Sequence, residues 1–300
     1  MSSLLNKPSI YTQVVRSQTS ESSTPPDNVY QNAWINSFSK NHVPTTCAQK
    51  LFVLGASSVL SLLNTHRGDL VGVVGETLYS HPALTQSLYR LNASLEGKDI
   101  LANKPRVLYA AAEHALRQQL GPEAAITPEM IVSHTLTDAE ERAWIADLYA
   151  KPENTLGHQY AKYLVDHEYL PSHRYMVRFV DDPELAYVMQ RYREVHDFLH
   201  VLTDLPPSVQ GELALKALEF LQTQLPMNFM SVVAAAPAKL SLQENIALLS
   251  KGLPWARRVH GAITSQTQGT GVLGIYYERY WDEDIDVLRS KYGIFERCPL

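Results

Sequence analysis

Residues 182–200 read Asp-Pro-Glu-Leu-Ala-Tyr-Val-Met-Gln-Arg-Tyr-Arg-Glu-Val-His-Asp-Phe-Leu-His, and this stretch predicts a long helix. Asp182 is a favourable N-cap, and Pro183 suits the first helical position because its ring already has a helical φ. Apolar residues then recur with helical spacing until the Pro206-Pro207 pair stops the run. The sequence therefore predicts a helix over residues 183–204, with an apolar stripe that faces the core.

Two histidines lie close together on that apolar stripe. His196 and His200 are four residues apart, so their side chains are neighbours and both imidazoles point inward. This spacing lets both rings reach one cation, with Asp197 adding an oxygen from the edge and Glu212 approaching from the early turns of the next helix. Two histidines and two carboxylates suit zinc, or another divalent transition metal, better than calcium or magnesium.

Other interpretations of the same residues remain open at this point. A single histidine on an apolar helix face is usually a core residue bonded to a backbone carbonyl. A zinc protease carries His-Glu-x-x-His, but here Asp197 replaces the glutamate, and its shorter side chain would reach the catalytic water poorly. A two-metal phosphohydrolase site, built from a His-Asp pair with a separate His and a distal Asp, leaves His200 without a role. The close histidine pair favours a metal site.

The same residues carry a resemblance to a protein family. Residues 179–200, followed by Glu212, resemble the mitochondrial ubiquinone (coenzyme Q) biosynthesis family, whose signature is His-Asp-x-x-His, eleven residues and then Glu. Four further segments match that family, namely residues 68–76, 224–227, 253–256 and 276–281. The resemblance extends from about residue 43 to about residue 295, and so it covers nearly the whole chain.

This resemblance implies an enzyme. The family is implied to be a lyase that removes the C1 carboxyl group of a polyprenylated 4-hydroxybenzoate, such as 4-hydroxy-3-methoxy-5-polyprenylbenzoate, during ubiquinone biosynthesis. The expected activity is therefore that of a metal-dependent decarboxylase. Its catalytic residues and metal ligands are expected to be His196, Asp197, His200 and Glu212. Two alternatives stay open: an oxidative decarboxylase that also hydroxylates C1, for which iron would suit the ligands, or a non-catalytic scaffold that organises the ubiquinone-biosynthesis enzymes.

The resemblance also implies partners and a location. We expect a polyprenylated hydroxybenzoate substrate, other ubiquinone-biosynthesis enzymes in a multi-subunit complex, and a membrane surface. The implied location is the matrix side of the mitochondrial inner membrane, as a peripheral protein. A net charge of −5 gives no case for nucleic acid. Tyr192 and Arg193, one turn before His196, are candidates for contacting the substrate, although Arg193 could instead pair with Glu194 or Asp197.

The chain between Glu219 and Lys239 is uncharged and largely apolar. Amide side chains and two prolines interrupt it, and these would be costly in a lipid bilayer without partners. The segment therefore predicts a buried helical hairpin beside the metal rather than a membrane span. Phe229 and Met230 would then line a channel for the polyprenyl tail of the substrate.

Apolar periodicity near 3.6 residues continues through most of the chain, which predicts a single compact all-α domain over residues 43–300. Residues 1–42 are rich in Ser, Thr, Asn, Gln and Pro, and they predict a mitochondrial transit segment or a disordered tail. Residues 120–155 are expected to be an insertion relative to the resembled family. Cys47 and Cys298 lie near opposite ends, so neither a disulfide framework nor a thiolate metal site is expected.

Overall fold

A computed structural model describes residues 28–63, 68–79 and 82–300, and these residues form helices with no β-strand among them. The prediction of an all-α fold is confirmed. The α-helices in chain order are α1 (Val29–Asn41), α2 (Cys47–Leu63), α3 (Gly68–Leu78), α4 (Pro82–Ser94), α5 (Asp99–Asn103), α6 (Val107–Leu120), α7 (Pro128–Ser133), α8 (Asp138–Tyr149), α9 (Leu156–Asp166), α10 (Pro183–Thr203), α11 (Val209–Thr223), α12 (Pro226–Lys239), α13 (Leu242–Ala247), α14 (Leu253–Gln266) and α15 (Ile285–Tyr292). A π-helical turn, Leu248–Gly252, joins α13 to α14.

Helix α10 is the predicted helix, and it lies at the centre of the fold. It begins as predicted, with the Asp182 side chain accepting hydrogen bonds from the first-turn amides, and it ends one residue early because Asp204 adopts a left-handed conformation, φ 59°. It packs against α1, α4 and α9 and is buried on nearly every side, not along one stripe alone. Its buried polar residues tolerate this position because they are paired, as Glu194 is with Arg106.

Helices α11 and α12 form the hairpin that was predicted after Glu212, but only α11 is largely buried. The turn between them uses a left-handed residue, Gln224 (φ 53°), and Pro226 then begins α12. On α12 the side chains of Phe229 and Met230 are 53% and 49% exposed. The prediction that this whole hairpin is buried is therefore wrong, and these two residues lie at the surface rather than along an interior channel.

The folded domain begins earlier than expected. Within the segment predicted as a transit or disordered region, helix α1 is capped by Asn28 and buries Trp34 and Phe38 against the core. The Trp34 indole donates a hydrogen bond of 2.7 Å to the carbonyl of Pro183, at the first turn of α10. The predicted boundary after residue 42 is therefore too late. The transit prediction for residues 1–27 lies outside the described residues.

Gly75 on α3 lies close to the end of the Met227 side chain on α12. A Cβ atom at Gly75 would lie 2.6 Å from Cε of Met227, so a side chain there would force Met227 to move. Among the helices that the structure describes, none has both the length and the apolar character needed to cross a membrane.

Candidate metal centre

Three of the four predicted site residues meet at one point between α10 and α11. His196 and His200 project from consecutive turns of α10, and Glu212 projects from the first turn of α11. One ligand atom from each lies within 4.8 Å of the others. Nε2 of His200 is 3.2 Å from Nε2 of His196 and 3.1 Å from Oε1 of Glu212. The structure therefore brings together the two imidazoles and the distal carboxylate.

Each imidazole is oriented by a hydrogen bond from its other nitrogen. Nδ1 of His200 donates to the carbonyl of Leu205 at 2.8 Å, and Nδ1 of His196 donates to Oε1 of Glu219 at 2.7 Å. Carbonyl and carboxylate oxygens only accept hydrogen bonds, so both rings carry their proton on Nδ1. In a neutral ring Nε2 then has the free lone pair, and both Nε2 atoms face Glu212.

This arrangement fits a divalent transition metal. Two ring nitrogens 3.2 Å apart need a positive charge between them, which can be a proton or a metal ion. Two nitrogen ligands of a tetrahedral zinc, each bonded at about 2.1 Å, would be separated by about 3.4 Å. The observed spacing is close to this value, and a carboxylate completes a donor set of a kind common at catalytic zinc sites.

Charge at the site follows from its burial. The side chain of His200 is fully buried, that of His196 is 14% exposed, and that of Glu212 is 34% exposed. Burial and the Lys216 ammonium both lower the pKa of His196, but the carboxylates of Glu219 and Glu212 outweigh them and raise it to about 9. Burial raises the pKa of Glu212, but the two histidines lower it by more. The pKa of Glu212 is therefore well below its usual range. The site therefore attracts positive charge.

The fourth predicted ligand, Asp197, does not belong to this group. Its carboxylate accepts two hydrogen bonds of 2.8 Å from the Arg174 guanidinium, and the residue is 5% exposed. Asp197 follows His196 directly, and one residue on an α-helix turns the side chain by about 100°. The side chain therefore points away from the imidazoles and joins α10 to the segment before it.

The two predicted substrate-contacting residues are both engaged inside the protein. Arg193 forms a 2.6 Å ion pair with Glu76 on α3, and not with either of the acids expected on its own helix. Tyr192 is 4% exposed, and its hydroxyl lies 2.8 Å from Oε2 of Glu219 and 2.6 Å from Oδ1 of Asn228. Neither side chain is placed to meet a substrate at the metal site.

Sequence reasoning missed a second layer of side chains around His196. Glu219 is fully buried, and Lys216 donates to its Oε2 at 2.7 Å and to the Tyr192 hydroxyl at 2.9 Å. A pattern in the sequence could have revealed this layer, because Glu212, Lys216 and Glu219 are spaced four and three residues apart. Such spacing places all three on one face of α11.

Comparison with known protein families gives a match over most of the chain. A family model for the "Coenzyme Q (ubiquinone) biosynthesis protein Coq4" matches residues 39–124 and 135–298. The unmatched residues 125–134 fall inside the insertion predicted at 120–155, whose wider bounds stay a prediction.

Curated relatives match over most of their length. The mitochondrial ubiquinone biosynthesis protein COQ4 homolog of Danio rerio is 35% identical over 257 residues, which is 85% of this chain and 80% of the relative. Homolog 1 of Culex quinquefasciatus is 32% identical over 285 residues, 95% of this chain and 88% of the relative. The human homolog is 32% identical over 254 residues, covering 85% of this chain and 81% of that protein.

A solved structure shares the fold. The crystal structure of a candidate ubiquinone biosynthesis protein from Nostoc punctiforme aligns with a TM-score of 0.52, although only 17% of the aligned residues are identical. The alignment covers 84% of this chain and 100% of that chain. The likeness therefore extends over most of the helical domain.

Proposed function

This chain belongs to the Coq4 family of ubiquinone biosynthesis proteins, and we propose that it is a carboxy-lyase that removes the C1 carboxyl group of a polyprenylated 4-hydroxybenzoate. A role in ubiquinone biosynthesis follows from the family. The proposed reaction rests on one observation above all: the ligand atoms of His196, His200 and Glu212 lie within 4.8 Å of one another. These are the side chains that would hold the metal, with zinc as the first choice.

The protein prepares this site by holding the ligands in place. When bound, a divalent ion supplies a Lewis acid that stabilises negative charge on the substrate carboxylate or on a ring oxygen. The ring of Tyr163 stacks on His200 with centroids 5.5 Å apart and covers that side of the imidazole. The Leu205 carbonyl keeps the same ring from rotating. The partly exposed Glu212 leaves the opposite side open to a ligand.

The proposed reaction consumes one proton and releases one molecule of carbon dioxide. A phenol ring loses a carboxylate most easily after C1 takes up a proton, because the para oxygen then stabilises the positive ring. The bond from C1 to the carboxyl carbon breaks, its electron pair returns to the ring, and the C1–H bond remains. Glu212 is assigned here as a metal ligand and not as the acid. The proton would come from water that enters past its exposed side chain.

The polyprenyl tail needs an apolar surface near this site, and α12 offers one. Asn228 contacts Tyr192 in the buried layer behind His196, while the next residues, Phe229 and Met230, are exposed. Helix α12 therefore has one face in the buried layer behind His196 and another face at the surface. We propose that the tail lies against this exposed face of α12, in place of the interior channel expected from the sequence.

The same surface supports contact with a membrane. Helix α13 follows α12 and packs against it, and its exposed residues Leu242 and Ile246 are followed at the same helical spacing by Leu249 in the π-turn. Exposed apolar rows of this kind mark lipid or protein contacts. Relatives of this chain are named mitochondrial. We therefore propose a peripheral position on the matrix side of the mitochondrial inner membrane.

The test of the enzyme is a direct assay. Purified protein loaded with zinc is supplied with a polyprenylated 4-hydroxybenzoate, and carbon dioxide release and the decarboxylated product are both measured. His196→Ala is expected to lose turnover while it keeps its fold. His134→Ala is the control, because His134 lies outside the family match and its ring pairs with Glu140, away from the metal site. Equal turnover in wild type and His196→Ala would reject the proposed role of this site.

A scaffold that organises other ubiquinone-biosynthesis enzymes is the second candidate function, and the exposed apolar residues of α12 and α13 favour it. The two functions are separable by experiment. Loss of turnover in His196→Ala with unchanged binding to the partner enzymes supports an enzyme that also docks. Wild-type protein that binds the partners and never releases carbon dioxide, with any divalent metal, supports a scaffold alone. Product that carries a new C1 hydroxyl group would instead indicate the oxidative alternative.

A further inference from the structure

The buried side chains behind His196 form a network of charged and polar groups, which we call the support cluster: Tyr192, Lys216, Glu219 and Asn228. Glu219 is at its centre and is fully buried. Its Oε1 accepts from Nδ1 of His196 at 2.7 Å, and its Oε2 accepts from Lys216 at 2.7 Å and from Tyr192 at 2.8 Å. We propose that Glu219 is a positioning residue that orients His196 as a metal ligand and sets the affinity of the site for its ion.

This inference rests on the proposed function only in assuming that the three-residue site holds a metal. In metal sites generally, a ligating histidine donates its second N–H to a carboxylate or a carbonyl. That bond fixes the ring and makes the ligand nitrogen a better donor. Here the two histidines differ, because His200 donates to the carbonyl of Leu205, which is neutral, whereas His196 donates to a carboxylate. Glu219 therefore gives His196 the more basic ligand nitrogen.

The burial of Glu219 is the second reason for the assignment. A carboxylate without exposure to water costs several kcal/mol unless its charge is paired and its oxygens accept hydrogen bonds. Both oxygens of Glu219 are satisfied, and Lys216, on the same face of α11, supplies the opposite charge. Replacing a whole buried ion pair by apolar residues of similar volume is often neutral or stabilising, so stability alone does not account for this pair. Glu219 contacts Nδ1 of His196, the ring whose other nitrogen would bind the metal, and orienting that ring is the function we assign to it.

The cluster also holds Glu219 in a single orientation. Lys216 binds Oε2 and also donates to the Tyr192 hydroxyl, while Tyr192 lies 2.6 Å from Oδ1 of Asn228 on α12. The carboxylate is therefore tied to α10 and α11, and the Tyr192 hydroxyl is in contact with α12. Because Oε2 is fixed in this way, Oε1 has one position available, and it is the position that meets Nδ1 of His196. The His196 ring is then oriented before any metal binds.

The experiment measures metal affinity, which is independent of turnover. Co²⁺ is titrated into metal-free protein in competition with a coloured chelator, and the visible spectrum of bound Co²⁺ is recorded, because this ion accepts the same ligands as zinc. Glu219→Gln is expected to weaken binding by about 10- to 100-fold and to change the spectrum. Glu141→Gln is the matched control, because Glu141 is also fully buried but accepts its hydrogen bonds from Ser172.

A second variant keeps the test decisive if Glu219→Gln does not fold. The double variant Lys216→Gln, Glu219→Gln removes both charges together, so no unpaired ammonium stays buried, and it is expected to show the same loss of affinity. Co²⁺ affinity equal to that of wild type in a folded Glu219 variant overturns the inference and leaves the proposed function standing. Wild-type protein that binds no Co²⁺ rejects the metal itself, and with it both proposals.

Discussion

Arg174 and Asp197 form an ion pair in which Nη2 of the arginine lies 2.8 Å from each carboxylate oxygen. Asp197 adjoins a metal-ligand candidate in the chain, yet its carboxylate is used to attach the segment before α10 to the helix. The Arg174 guanidinium also donates to the carbonyl of Arg193 at 3.1 Å, which strengthens the same attachment. The acid of the His-Asp-x-x-His motif is therefore expected to stabilise the fold around the site.

Replacing Asp197 by Asn should lower stability and leave metal binding intact. The variant loses a charge-assisted hydrogen-bonded pair. Because Arg174 is partly exposed to solvent, the loss is moderate, and the free energy of unfolding of the metal-free protein should fall by about 1–3 kcal/mol. Urea unfolding checks the first expectation, and Co²⁺ titration checks the second. Arg174→Gln should show a similar loss. Failure of Asp197→Asn to bind the ion would instead restore Asp197 as a ligand.

Zinc should stabilise the wild-type protein through Glu212. A ligand at about a hundredfold excess over its dissociation constant adds about 2.7 kcal/mol of stability, which corresponds to a rise in Tm of about 5–10 °C for a domain of this size. The rise should vanish in Glu212→Ala and persist in Glu113→Ala, whose exposed carboxylate pairs with Arg117 on α6. Differential scanning fluorimetry gives the comparison. A zinc-induced shift that survives in Glu212→Ala would place the ion elsewhere.

Removing helix α1 should destabilise the domain. Trp34 and Phe38 are 0% and 1% exposed, and loss of one such aromatic side chain from a core costs about 3–5 kcal/mol. A chain that starts at residue 43 should therefore unfold at lower urea than a chain that starts at residue 28. Trp34→Ala in the longer chain separates the packing from the truncation itself. Equal midpoints for the two chains would support the boundary that the sequence predicted.

The two cysteines should differ in their reaction with alkylating reagents. Burial raises the pKa of the Cys298 thiol to about 11, while Cys47 is exposed on α2. At about pH 8 nearly all of Cys298 is protonated, and a protonated thiol is a poor nucleophile. Iodoacetamide should label Cys47 first, and labelling of Cys298 should accelerate as the pH rises towards 11. Mass spectrometry of the digested protein reads both sites, and preferential labelling of Cys298 near neutral pH would contradict the burial.

Local rules predicted much of the fold and the centre of the site. The start of α10 follows from an Asp-Pro pair whose cap uses atoms only two and three residues away. The pairing of His196 with His200 follows from helix geometry, since residues four apart are neighbours on any α-helix. The same reasoning was wrong for Phe229 and Met230, because composition does not reveal which face of α12 another helix covers.

By itself, the sequence determined that the chain is helical and that two imidazoles meet on one helix, because both depend on spacing within about one turn. The sequence also predicted Glu212, but only the tertiary structure added Glu219 and showed that Asp197 does not join the group. Glu212 and Glu219 reach opposite nitrogens of His196 since the α10–α11 packing places one face of α11 across both sides of that ring. Asp197 points away from the imidazoles because of its position on the helix, and an arginine from outside the helix pairs with it there. Such choices depend on how separate helices approach each other, which the spacing of residues within one helix does not encode.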